Sequence, residues 1–161
     1  MQSYELIQLL SVTSSRLAKE AILLEQMKNR NQEFFTGVIL ALDPYVTFGI
    51  KQLPIASTDG NGFTWEEFRK LASQLAVRSI TGHAARDAVE LACAASKVDE
   101  WNNWYRLILL KDLKCGVSEK TINTVANSSN LEIYSVPTFS CQLAKDGKDL
   151  IDSLTGEYLI D

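Results

Sequence analysis

From the N-terminus to about residue 127, apolar residues recur three and four positions apart, the spacing that gathers them on one face of an α-helix. Leu6, Leu9 and Leu10 make a first stripe, Leu17, Ala21 and Leu24 a second, and Phe35, Val38, Ile39 and Leu42 a third. Helices of this kind can bury their stripes only against one another, so the pattern predicts an all-α, compact multi-helix domain. Asp43-Pro44 should end the third helix, and Gln52-Leu53-Pro54 with Ser57-Thr58-Asp59-Gly60-Asn61-Gly62 reads as the main loop. Thr64 and Glu67 have the form of a capping box for the next helix, which Phe68, Leu71 and Leu75 would anchor. After Thr81-Gly82, an alanine-rich helix from His83 to Ser96 offers Ala84, Ala88, Leu91, Ala92 and Ala95 for close helix approach. Asp99 is then expected to cap a helix whose Trp101, Trp104, Tyr105 and Ile108 enter the core.

After Asn127-Ser128-Ser129-Asn130 the character changes. Leu131 to Cys141 is extended in pattern and contains Pro137, and Thr155-Gly156 sets off the short apolar run Tyr158-Leu159-Ile160. About 30 residues with two strand-like stretches cannot close a sheet. The reading therefore divides the chain into a helical domain at 1–128 and a segment at 129–161, which is either a tail docked on the helices or the opening of a second domain.

Composition narrows the function classes. No apolar run approaches the ~18 residues that span a bilayer, and the first residues lack a secretory layout, which predicts a soluble intracellular protein without a membrane partner. Cys93, Cys115 and Cys141 are odd in number without CxxC spacing, and His83 is the one histidine. Reduced thiols, no metal site and no self-contained Cys/His or Ser/His/Asp centre are expected. The net charge of -4 is unevenly spread: residues 1–128 hold 14 cationic and 14 acidic side chains, residues 129–161 hold 2 and 6. A neutral body can bind nucleic acid if its cations share one face, and such binding weakens with salt as phosphate counterions return.

Two glycine turns are the candidate binding elements. Leu110 to Thr121 reads as a basic helix end, a turn at Gly116-Val117, and a new helix over Val117–Val125 capped by Ser118. The first N–H groups of that helix lack internal partners and can receive a phosphate oxygen, while Gly116 permits positive φ and close ligand approach. Thr81-Gly82-His83 repeats the logic, with His83 as a donor or packing group. Lys111 and Lys114, three apart, are expected to share a helix face and, with Lys120, to supply cationic contacts. Asp112 and Glu119 would partly cancel their field. Lys51, Arg78 and Arg86 are weaker candidates. The plain structural alternative is ordinary helix capping beside a solvated mixed-charge face.

Three separated stretches, Phe48–Pro54, Leu75–Ala85 and Tyr105–Ser118, resemble in order the N-terminal DNA-binding domain of phage-type ATP-dependent DNA ligases; Lys111-Asp112-Leu113-Lys114-Cys115-Gly116-Val117-Ser118-Glu119-Lys120-Thr121 is similar to a signature near that domain's end. Phe139–Ala144 resembles the opening of the family's nucleotidyltransferase (adenylation) domain, and Gly156–Asp161 the lead into its Lys-x-Asp-Gly motif. The resemblance implies an all-α domain gripping the minor-groove side of nicked duplex DNA mostly by its phosphates; the residues suited to that task, donors and cations that favour binding without sequence specificity, are Thr81, Gly82, His83, Lys111, Lys114, Gly116, Val117, Ser118 and Lys120. It also implies a monomeric parent enzyme with adenylation and OB-fold domains. That enzyme, using ATP and Mg2+, passes AMP from a lysine to a 5′-phosphate and seals nicks in replication, repair and recombination, in the host cytoplasm if phage-encoded. Lys145-Asp146-Gly147 lacks the intervening residue of Lys-x-Asp-Gly and reads as a solvated turn, so these 161 residues alone should bind no cofactor and be inactive. A small helical protein–protein interaction module is the alternative that the neutral body and acidic tail also suit.

Overall fold

The computed structural model describes residues 1–137, and all regular structure among them is helical. The order is α1 (Ser3–Val12), α2 (Arg16–Lys28), α3 (Gln32–Leu42), α4 (Trp65–Ala76), α5 (Gly82–Ala95), α6 (Val98–Glu100), a π-helical segment (Trp101–Tyr105), α7 (Arg106–Leu110), α8 (Glu119–Ser128) and a 3₁₀ turn (Glu132–Tyr134). Local chemistry sets the starts. Ser15 caps α2, Asn31 caps α3, and Thr64 forms with Glu67 the reciprocal capping box that the sequence predicts for α4. Pro44 follows α3 by two positions, and α3 stops at Leu42. No helix among the described residues is long and apolar enough to cross a membrane.

Phe34, Phe35, Phe68, Trp101, Trp104 and Tyr105 are fully or almost fully buried and form the centre of the core. Phe34 stacks on Trp104 at 5.7 Å, Trp104 on Trp65 at 6.0 Å, and Phe68 on Tyr105 at 4.6 Å. Each such aromatic pair contributes about 0.5–1.5 kcal/mol beyond its area burial. Gly37 makes the α3 contact possible, because a Cβ there would collide with the Trp104 ring and Ile108.

Several predicted faces are shifted. In α2 the buried residues are Leu23 and Met27, whereas Leu17 is 77% exposed; in α5 they are Ala85, Val89, Ala92 and Cys93, whereas Leu91 is 72% exposed. Both helices contain more than one three-and-four register of apolar or small residues, and packing against the aromatic core selects the one that periodicity alone does not. The predicted Asp99 cap is also replaced. Asp99 lies inside the first turn of α6, and the Val98 N–H donates to Asp59 Oδ1 at 2.8 Å, so the cap comes from the distant loop.

That loop, residues 43–64, has no regular structure of its own, and the α6–α7 helix holds it. Trp101 Nε1 donates to Pro54 O at 2.9 Å, the Asn102 amide pairs with both the N–H and C=O of Ala56, and Tyr105 Oη donates to Phe63 O at 3.2 Å. The π-helical winding is seen in the Arg106 N–H donating to Trp101 O, five residues back. Beyond α8, Tyr134 and Val136 are buried on the helical body, and the stretch expected to be extended contains the 3₁₀ turn instead. The readings on Phe139–Ala144, Cys141, Lys145–Gly147 and Gly156–Asp161 fall outside the described residues.

Candidate nucleic-acid interface

The α7–α8 junction is built by a lysine that faces inward. Helix α7 ends at Leu110, and Lys111 takes the left-handed conformation with φ 59°. Its Nζ donates to Leu40 O at 2.7 Å and Asp43 O at 2.8 Å, satisfying carbonyls at the C-terminal end of α3, and lies 5.7 Å from the centre of the Phe48 ring. Burial lowers the Lys111 pKa from the ordinary lysine value, against the opposing pull of Asp43. The expectation that Lys111 and Lys114 share a helix face therefore fails: the helix has ended before either residue, and Lys114 is itself left-handed with φ 54°. A lysine at the end of an apolar helix can turn back to cap a neighbouring helix, and nothing in its own segment announces that neighbour.

Lys114 is exposed: its backbone N–H donates to Asp112 Oδ1 at 3.0 Å, while its ammonium makes only a loose pair with that carboxylate, 3.9 Å apart with both side chains more than half solvated. Leu113 and Cys115 point into the core on either side, which holds the turn in place, and burial raises the Cys115 thiol pKa. Gly116 has φ 73°, the left-handed conformation expected of it, and is exposed. Ser118 is the N-cap: its Oγ accepts from the Thr121 N–H at 3.4 Å. Helix α8 begins at Glu119, two residues later than the sequence predicts, with Lys120 exposed in its first turn and Val117 half-buried.

The cation that sequence reasoning missed is Lys19 of α2. Its Nζ donates to Cys115 O at 2.9 Å and occupies the space beside Gly116 that a Cβ would need. It comes from 96 positions away in the chain, through the packing of α2 against α8. Lys19 was legible only as one charge on a helix whose buried face the sequence misassigns. At the junction Lys19 is bonded to the Cys115 carbonyl, Lys114 and Lys120 are exposed on either side of Gly116 in the chain, and Lys111 braces the turn from the end of α3.

The Thr81–His83 turn is more open. Thr81 takes the N-cap position with extended backbone but makes no side-chain cap bond; Gly82 opens α5 with φ 58°, and a Cβ there would meet nothing within 4 Å. Thr81, Gly82, His83 and Arg86 are all exposed. Arg78 is committed elsewhere: its guanidinium donates to Thr47 O, Thr47 Oγ1 and Leu75 O and lies against Gly49, tying the 47–49 loop to the corner between α4 and α5. Lys51 is exposed. Both turns therefore present first-turn amides at a helix start, the geometry that receives an anion.

No protein-family model matches the chain, and no curated protein matches it. Among solved structures, Pmar-Lig_PreS3 and Pmar-Lig_Pre each share 48% sequence identity over 89% of this chain with a TM-score of 0.83. The chain spans about a third of their length, 33% of each. A likeness of this extent in both sequence and backbone shows that the described all-α helical body shares its fold with part of these longer chains.

Proposed function

We propose that this chain is the DNA-engaging helical domain of an ATP-dependent DNA ligase of the phage type and holds nicked duplex by its backbone phosphates. The 48% identity and common fold with the Pmar-Lig structures carry the reading, and the two exposed helix starts with their cations supply its chemistry. In this proposal Lys19, Lys114 and Lys120 contribute charge at one turn, the amides and hydroxyls of Thr81, Gly82, His83, Gly116, Val117 and Ser118 contribute oriented donors, and Lys111 acts through the fold. Such donors recognise phosphate and not base edges, so binding is indifferent to sequence. ATP and Mg2+ bind to other domains of the ligase, where AMP transfer and nick sealing occur during replication, repair and recombination. These residues contribute only the grip on duplex.

Titration of nicked duplexes of unrelated sequence at several salt concentrations tests the proposal. Similar affinities are expected, together with a log–log salt slope that flattens by about 0.9 for each phosphate left unneutralised in Lys19→Ala, Lys114→Ala or Lys120→Ala. A strong preference for one sequence, or no binding at low salt, overturns it. The second outcome would favour the protein–protein interaction module.

A further inference from the structure

We propose that residues 131–136 form a latch that fixes the position and direction in which the chain leaves the helical body at Pro137. The sequence pattern ends the helical domain at 128, inside the polar run Asn127-Ser128-Ser129-Asn130. The structure puts that run inside the body: Asn130 turns with φ 57° and the Leu131 N–H closes onto Ala126 O at 2.7 Å. The 3₁₀ turn then carries Tyr134 inward, where it is buried with its ring 4.8 Å from Phe35 of α3. Two residues later the Asn123 side chain of α8 grips Val136 at both backbone groups. Val136 N–H donates to Asn123 Oδ1 at 2.7 Å, and Asn123 Nδ2 donates to Val136 O at 3.0 Å.

One primary amide thereby satisfies a complete backbone donor–acceptor pair, as a neighbouring strand would, and no other residue type offers both groups at that reach except glutamine, which is one carbon longer. An aromatic anchor at Tyr134 and a polar anchor at Val136 fix two points of a six-residue segment, which sets its direction as well as its position. Ile133, 71% exposed immediately before Tyr134, takes no part. The inference concerns the exit of the chain and does not rest on the ligase reading.

The test uses the full 161-residue chain, amide exchange by NMR, and chymotrypsin cleavage after Tyr134. In the parent, the Val136 amide should exchange at least ~100-fold slower than in an unfolded chain. In Asn123→Leu, which removes both bonds, and in Tyr134→Phe/Asn123→Leu, which retains the aromatic anchor and removes its hydroxyl, Val136 protection should fall at least ~10-fold and cleavage near residue 134 should speed up. Amides of α3 and α7 should keep their protection. Rapid Val136 exchange in the parent overturns the latch, as does an Asn123→Leu chain with unaltered protection. Joint loss of protection across α3, α7 and Val136 overturns it too, since the segment would then be inseparable from the core; Asn123→Ser, a milder truncation, is measured alongside to read that outcome in a folded chain.

Discussion

The turns at Gly82 and Gly116 share a sequence signature, a glycine beside a helix start, and are built in opposite ways. At Gly116 the neighbours are engaged: Ser118 caps α8, Lys19 crosses from α2 to bind Cys115 O, and Lys111 is drawn under the junction to the end of α3. At Gly82 the cap position makes no side-chain bond and the glycine faces open space. One turn is held by long-range contacts at the glycine itself, whereas at the other the long-range tie, Arg78 to Thr47, is made upstream of the cap. Sequence identifies where a chain can turn, whereas the contacts that make a turn stiff come from residues remote in the chain.

Lys111 and Lys114 should show the widest gap. Lys111→Ala removes a charged donor from two carbonyls and is expected to destabilise the fold by about 2–3 kcal/mol, whereas Lys114→Ala, losing only an exposed pair, should stay within about 0.5 kcal/mol. Urea unfolding of the two variants measures this, and equal losses would break the distinction between the inward and outward lysine. Next come the glycines. Valine at either position meets positive φ and should cost about 1–2 kcal/mol, but Gly116→Val also displaces Lys19 from Cys115 O and should cost roughly 1 kcal/mol more than Gly82→Val. In a Lys19→Ala background that excess should vanish, a double-mutant cycle that sharpens the assignment. The smallest effect concerns the caps: Ser118→Ala should lower stability by about 0.5–1 kcal/mol and Thr81→Ala by close to nothing, since only Ser118 makes the bond. Thermal melts of this pair giving matching losses would mean that the two helix starts are alike.

What the sequence made legible follows the range of each interaction. The all-α class, the Thr64–Glu67 box, the end of α3 before Pro44 and the burial of Trp101, Trp104 and Tyr105 depend on residues within a few positions of one another, and all were readable. The buried face of α2, the Asp59 cap on α6 and the inward turn of Lys111 depend on what lies across the fold, and were not. At the candidate interface the same division holds. Gly116 and Ser118 were identified with their conformation and capping role, whereas Lys19 arrives through helix packing that no local pattern encodes.

The π-helical segment changes how this chain tolerates a change in length. An i to i+5 turn contains one residue more than an α-turn, and the Arg106 N–H to Trp101 O bond marks that surplus. Removing Asn103, half-buried in the middle of the segment, would let the winding relax to α while Trp101 and Asn102 on one side and the Leu107–Leu109 core residues on the other keep their faces. Adding a residue there has no such outlet, and at about 100° per residue would rotate Leu107 and Ile108 out of the core. The helix thus holds slack in one direction only, toward a shorter chain, at the place where its side chains moor the long loop.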